Sequence, residues 1–171
     1  MSFYVEWLNQ IKLKADSTWL TKNQQKALND VMNKYPQEKF VCLCGPSGSG
    51  KSFISWILVK EHGYIYANEL RSVEPGTERV VIDGEPYTRA MRPIAQLLDL
   101  KRVLLLTEQT PPARDGVPVV TLSLDEHDVK QFQHNLTKYG ILQSFLCQAE
   151  GAVLSQILRN EAISRGGNNV T

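Results

Sequence analysis

A run of eight residues carries the groups that bind phosphate in proteins: glycines, a lysine and a serine hydroxyl. The run is Gly45, Pro46, Ser47, Gly48, Ser49, Gly50, Lys51 and Ser52. Glycines permit positive φ angles and close backbone approach, so successive N–H groups can surround a phosphate. Lysine neutralises phosphate charge, and a serine hydroxyl can ligate Mg²⁺. The run therefore predicts a phosphate site, with Lys51 on the β- and γ-phosphates and Ser52 on the metal.

This predicted site lies where a strand turns into a helix. Residues 40–44 read FVCLC, an apolar run with high β propensity, and a helix is expected from about Lys51 to Glu61, ended by Gly63. A helix N-terminus directs N–H groups and the positive end of its dipole at a bound anion. In this context the run resembles the Walker A motif of the P-loop NTPases, and the resemblance extends over about residues 40–121. It implies that the ligand is ATP with Mg²⁺.

A second motif carries the same resemblance. Residues 80–82 are apolar and precede Asp83, which looks like a Walker B strand whose carboxylate holds Mg²⁺ through its water shell. Because a strand at 64–67 lies between the motifs, the chain resembles the additional-strand class, for which the sheet order 5-1-4-3-2 is expected. In that class a water-polarising glutamate usually follows the aspartate directly. Here Gly84 intervenes, so Glu85 is the candidate, and slow or absent hydrolysis stays open.

Within that class the chain most resembles a small AAA+ ATPase, which implies further catalytic groups. Thr107 or Glu108 stands at the end of the fourth predicted strand, where these proteins sense the γ-phosphate. Arg114 precedes the fifth strand, where they often carry an arginine finger that completes a neighbour's site. A homo-oligomer with nucleotide is therefore expected. Four other arginines have no diagnostic motif around them and are interpreted as surface residues: Arg89, Arg92, Arg159 and Arg165.

The elements that must position these groups predict an α/β protein with a five-stranded parallel sheet. Short apolar runs separated by helical stretches are typical of this class. A proline cannot donate to a sheet ladder, so the strand that contains Pro118 is expected at an edge or to have the proline at its start. The predicted strands are residues 40–44, 64–67, 79–83, 102–106 and 117–121.

Helices are expected before, within and after this core in the sequence. Apolar spacing predicts one helix over residues 3–14, and Thr21 with Gln24 forms a capping box that opens a second. Ser123 with Glu126 predicts another capping box. Further helices are predicted over about residues 87–98 and from 141 to about 163. The predicted organisation is an N-terminal helical arm at 1–38, a nucleotide-binding core at 39–122, a lid-like helical region at 123–165 and a flexible tail at 166–171.

Composition restricts the classes of partner. The 19 basic and 18 acidic residues give a net charge of +1, which excludes whole-molecule attraction to nucleic acid or membranes. Three cysteines leave one unpaired in any bridge, and no apolar run of about 18 residues occurs, so a cytoplasmic protein without a membrane partner is expected. Six lysines face four acidic residues in residues 1–40, which leaves a local DNA patch open. A protein client is also open.

Three activities fit these residues. An ATP-hydrolysing AAA+-like switch or remodelling subunit is favoured, because residues 20–28 also resemble the helix that precedes the P-loop in AAA+ ATPases and helicases. A small-molecule kinase uses the same glycine spacing, but Arg114 is the one arginine between the fourth and fifth predicted strands, where a kinase lid would carry several. A non-hydrolytic ATP-dependent scaffold is the third alternative, since Glu85 is displaced from the usual position.

Overall fold

The computed structural model describes residues 3–84, 100–140, 157–159 and 163. Within these ranges it describes backbone alone for a few positions at the start of the first helix and for Leu70. Several predicted features lie outside the described residues: Glu85, Arg89, Arg92, Arg165, the helix at 87–98, most of the helix at 141–163 and the tail at 166–171. The predicted domain boundaries stay predictions.

Five parallel strands form one sheet in the order β2-β3-β4-β1-β5, which is the expected order read from the opposite edge. The long apolar strands occupy the middle, as expected where both faces of a parallel sheet are covered. The strands are β1 (Phe40–Cys44), β2 (Ile65–Ala67), β3 (Arg79–Asp83), β4 (Arg102–Thr107) and β5 (Val119–Thr121).

The register of the central strands brings their carboxyl ends together. Cys44 of β1 pairs with Thr107 of β4, and Asp83 of β3 pairs with Leu106 of the same strand. Because side chains alternate between faces, Asp83 and Leu106 belong to one face while Cys44 and Thr107 belong to the other. At the carboxyl ends of β1, β3 and β4, side chains therefore lie on both faces of the sheet.

Four α-helices are described: α1 (Phe3–Lys14), α2 (Lys22–Lys34), α3 (Lys51–His62) and α4 (Glu126–Lys138). The capping box of Thr21 and Gln24 is present at the start of α2, as predicted. Helix α3 ends at Gly63, whose φ of 68° is accessible to glycine at little cost. No helix in the described ranges is both long and apolar enough to cross a bilayer.

Two boundary predictions need correction. The capping box of α4 uses Asp125 and Asp128 rather than Ser123 and Glu126, because the chain stays extended two residues longer. Strand β5 begins at Val119, so Pro118 precedes it, although the Pro118 carbonyl still accepts a hydrogen bond from Cys42 N at 2.9 Å. The edge position predicted from this proline is confirmed.

The segment that leads into α2 is fastened to α4. Asp128 is buried and accepts from the backbone N of Asn23 at 3.1 Å and from its Nδ2 at 2.6 Å. The rings of Trp19 and Tyr139 stack with centroids 4.4 Å apart, and Asn135 Nδ2 donates to the Trp19 carbonyl at 3.0 Å. The described part of the C-terminal region is thus tied to the N-terminal segment.

Burial opposes the charge of Asp128, but hydrogen bonds from Asp125, Thr21 and Asn23 outweigh it and hold the pKa of Asp128 below its usual value. Asp128→Ala should lower the free energy of unfolding at pH 7 by about 2 kcal/mol, because it leaves buried donors unpaired. A lowered folded pKa gives stability above the unfolded pKa that is lost as pH falls through the folded one. The difference between wild type and variant should therefore shrink below about pH 4.

Urea unfolding at pH 7 and at acid pH measures both effects. Glu126→Ala is the matched control, because this exposed carboxylate lies in the same first turn of α4 and should cost no more than about 0.5 kcal/mol. A constant difference across the acid range would contradict the charge-dependent role of Asp128.

Candidate functional site

The glycine-rich loop (Gly45–Gly50) connects β1 to α3, as the sequence predicts. Gly48 and Gly50 have φ angles of 76° and 90°, in the left-handed region that side chains disfavour. Gly50 is the N-cap of α3, and its carbonyl accepts hydrogen bonds from Phe53 N and Ile54 N at 3.0 and 3.1 Å. The loop therefore ends on a helix N-terminus, whose first N–H groups have no partner within the helix.

Gly45 is required for a different reason, which is close packing. A Cβ built on Gly45 would lie 2.6 Å from the backbone carbonyl oxygen of Leu122 and 3.0 Å from Ser49 Oγ. Two backbone bonds hold these segments together: Gly45 N donates to Thr107 O at 3.1 Å, and Leu122 N donates to Cys44 O at 2.7 Å. The base of the loop is therefore fixed to the last residue of β4 and to the residue that follows β5.

The ammonium of Lys51 lies over the start of the loop. Its Nζ donates to the carbonyl oxygens of Gly45 at 2.6 Å and Pro46 at 2.9 Å. Burial lowers the pKa of Lys51, while the negative charges of Glu108 and Asp83 act in the opposite direction. A positive charge is thus held beside the glycine-rich loop, with two carboxylates within electrostatic reach.

Ser52 and Asp83 meet although they belong to distant parts of the chain. Ser52 Oγ, in the first turn of α3, donates to Asp83 Oδ2 at 2.8 Å. The hydroxyl of Tyr66 on β2 donates to the same carboxylate oxygen at 2.5 Å. Burial first, and then the hydrogen bond to Asp83, raise the pKa of Tyr66. The two residues predicted to hold a metal are therefore in direct contact.

Two buried hydroxyls beside the loop have no partner among the described residues. Ser49 Oγ lies inside the loop, where Ser49 is 1% exposed, and Thr107 Oγ1 lies at the end of β4, where Thr107 is 8% exposed. A buried hydroxyl without a hydrogen bond costs free energy, so each is a candidate to gain a partner when a ligand binds. Thr107, predicted as a site residue, thus lies next to the loop with an unused donor.

The side chains that meet beside the loop offer oxygen donors, which are the kind that Mg²⁺ takes. In the described part of the chain, no three His, Cys, Asp or Glu side chains form a group that could hold a metal. Mg²⁺ does not need such a cage, because it keeps several waters and takes one or two carboxylates together with substrate phosphates. One carboxylate and one hydroxyl in contact match that pattern.

The other arginine and glutamate side chains of interest in the described residues are exposed. Arg114 lies in a 3-10 helix (Ala113–Asp115) between β4 and β5, and its side chain is 87% exposed, with Nε 3.8 Å from Asp115. Glu108 is exposed, and its backbone carbonyl accepts from Cys44 Sγ at 3.5 Å. Arg159, which the sequence analysis interprets as a surface residue, is exposed in the short described stretch at 157–159. Glu85 is outside the described residues.

Tyr66 is a site residue that the sequence analysis missed. It belongs to a short predicted strand without a motif. Tyr64 lies two positions earlier, so the sequence does not distinguish the two tyrosines. The signal would have been the pairing of β2 with β3, which aligns Tyr66 with Val81 and so places it on the face that carries Asp83.

No protein-family model matches the chain, and no curated protein matches it.

Gly45→Ala should lower the free energy of unfolding by about 2 kcal/mol through overpacking against the Leu122 carbonyl. Backbone strain adds nothing here, because the φ of Gly45 lies outside the left-handed region. Thermal and urea unfolding measure the effect. Ser47→Ala is the control, since Ser47 is exposed in the same loop and its truncation should change stability by less than about 0.5 kcal/mol. A Gly45→Ala variant as stable as Ser47→Ala would contradict the packing role.

Proposed function

We propose that the chain is a P-loop NTPase of the additional-strand class that binds ATP with Mg²⁺ and resembles a small AAA+ ATPase. The observation that carries the proposal is the hydrogen bond between Ser52 and Asp83 directly beside the glycine-rich loop. A hydroxyl has one proton to donate and two lone pairs to offer. Ser52 can therefore donate to Asp83 and still present a lone pair to a metal ion.

The glycine-rich loop supplies the phosphate contacts in this proposal. Positive φ angles at Gly48 and Gly50 curve the backbone before α3, and backbone N–H groups in such a turn form a concavity that binds anions. The N-terminus of α3 adds its dipole in the same place. Gly45, Pro46, Ser47 and Ser49 complete the loop, with the Ser49 hydroxyl free to gain a partner.

Lys51 neutralises phosphate charge in this proposal. Its ammonium now donates to the Gly45 and Pro46 carbonyls, so it is already held beside the loop. Bound Mg²⁺ would supply charge neutralisation and a template that orients the phosphates. Ser52 and Asp83 are the residues that would hold it, Asp83 through its water shell.

Hydrolysis requires a group that orients water, and two carboxylates are candidates. Glu85 follows Asp83 by two residues, and Glu108 follows Thr107 at the end of β4. The buried Thr107 hydroxyl, without a partner among the described residues, suits a sensor of the γ-phosphate. The same loop would serve a kinase or a non-hydrolytic scaffold, so turnover in water alone separates the three functions.

Arg114 supports a site that a neighbouring subunit completes. Its side chain is 87% exposed, so it is available to a second copy of the chain, and an arginine supplied by a neighbour stabilises charge on the transferring phosphoryl group. An oligomer that forms with nucleotide follows from this proposal. A DNA or protein client is proposed from the sequence alone.

Lys51→Ala should weaken ATP binding about 10- to 100-fold, because a charge-assisted hydrogen bond contributes about 1.5–3 kcal/mol. Equilibrium titration with a fluorescent ATP analogue in the presence of Mg²⁺ measures it. Lys26→Ala, which removes an exposed lysine of α2, is the charge-matched control and should bind as wild type does. Wild-type affinity in Lys51→Ala would remove the lysine from this role, and absence of binding by wild type would overturn the proposed function.

Glu85→Gln should bind ATP and fail to hydrolyse it, because the water-orienting carboxylate is lost. Arg114→Ala should lower turnover about 10³-fold or more if the finger acts between subunits. Phosphate release measured across protein concentration checks both. Specific activity should rise with concentration, and a mixture of Arg114→Ala with Lys51→Ala should regain activity, because one mixed interface carries both intact groups.

Flat specific activity and no rescue would contradict the finger. Wild-type turnover in Glu85→Gln would transfer the water-orienting role to Glu108. ATP consumption that needs an added acceptor would instead support a kinase, and a wild type that binds ATP without turnover would support the scaffold.

A further inference from the structure

Tyr66 contacts the proposed metal carboxylate without being part of either nucleotide motif. We propose that Tyr66 is a positioning residue, whose hydroxyl fixes the orientation of Asp83 and so sets the affinity of the site for Mg²⁺ with nucleotide. The 2.5 Å hydrogen bond from Tyr66 to Asp83 Oδ2 carries this inference, which rests on the proposed function.

Sheet pairing explains why Tyr66 reaches Asp83. Ile65, Tyr66 and Ala67 pair with Val80, Val81 and Ile82. Tyr66 therefore shares the face of Val81 and, by the two-residue repeat of a strand, the face of Asp83. A long side chain on that face reaches the diagonal neighbour two residues further along the adjacent strand, and the phenol places its oxygen on the carboxylate.

Two hydroxyls act on one carboxylate oxygen. Both hydrogen bonds that the described side chains give to Asp83, from Ser52 and from Tyr66, end on Oδ2. This arrangement restrains the orientation of the carboxylate and would leave Oδ1 for the ion or its water. Ser52 has a second task as a proposed ligand, whereas Tyr66 contacts Asp83 alone, so Tyr66 is a positioning residue and not a ligand.

The ring of Tyr66 is itself held in place. Lys12 Nζ of α1 lies 5.4 Å from the centroid of the Tyr66 ring and 6.0 Å from that of Trp56 on α3. Such cation–π contacts favour one ring position over others. Tyr66→Phe keeps this ring and its contacts and removes the hydroxyl alone, which makes it a clean test.

The experiment titrates Mg²⁺ against a fixed concentration of fluorescent ATP analogue and follows nucleotide binding rather than turnover. Tyr66→Phe should raise the Mg²⁺ concentration at half-maximal binding about three- to tenfold, the range expected for the net contribution of one ordinary hydrogen bond, because Tyr66 acts on the ion only through Asp83. Binding without Mg²⁺ should stay unchanged. Tyr64→Phe is the matched control and should behave as wild type, because Tyr64 packs near Tyr35 rather than on Asp83.

A double-mutant cycle with Asp83→Asn tests the route of the effect. If Tyr66 acts through Asp83, Tyr66→Phe should add little to the Mg²⁺ midpoint once Asp83 is replaced. Full additivity, or a loss of Mg²⁺-free binding equal to the loss with Mg²⁺, would overturn the positioning role.

The outcomes separate this inference from the proposed function. Magnesium-dependent binding by wild type with an unchanged midpoint in Tyr66→Phe overturns the role of Tyr66 and leaves the nucleotide site standing. Absence of nucleotide binding by wild type overturns both.

Discussion

A single hydrogen bond between Ser52 and Asp83 connects the first turn of α3 to the end of β3, although β4 lies between β3 and the strand that leads into α3. Two neighbouring strand spacings amount to about 10 Å, so the loop and helix must turn back across the sheet for this contact to form. Positive φ angles at Gly48 and Gly50 permit that turn. The geometry of the whole candidate site follows from this crossing.

The crossing also depends on strand register. Asp83 pairs with Leu106, and Cys44 pairs with Thr107. A slip of β3 by one residue would turn Asp83 to the opposite face, where neither Ser52 nor Tyr66 could reach it. Val80, Val81 and Ile82 are completely buried, so burial on both faces stabilises β3 without distinguishing its two sides. The specific pairing with β2 and β4 is therefore what holds the carboxylate toward α3.

The sequence predicted well those features of the molecule that depend on local signals. The strands at 40–44 and 79–83, the capping box of Thr21 and the end of α3 at Gly63 each depend on a few adjacent residues, and all four are found. The strand order came from the resemblance, since apolar runs alone do not order strands. The start of α4 was misplaced because Ser123 and Asp125 both begin a run that could cap a helix, and in the structure Asp125 caps it together with Asp128, which accepts hydrogen bonds from Asn23.

The candidate site was predictable where a residue belongs to a local sequence motif or ends an apolar strand. Lys51 and Ser52 are fixed by the motif, and Asp83 follows from the end of an apolar strand. Tyr66 needs the β2–β3 register, and Gly45 needs the approach of the Leu122 carbonyl from a segment 77 positions away in the chain. Contacts of that kind depend on tertiary packing, which no pattern within one segment contains.

The first helix shows that support for the site extends beyond the sheet. Lys60 of α3 donates to the carbonyls of Leu13 and Ala15, and Glu61 accepts from Ser17 N at 2.8 Å, so the end of α1 is anchored on the last turn of α3. Lys12 then lies over the Tyr66 ring. Because α3 carries Ser52 at its other end, one helix joins the anchored α1 to the loop. Both residues that donate to Asp83, Ser52 and Tyr66, therefore belong to elements that α1 contacts.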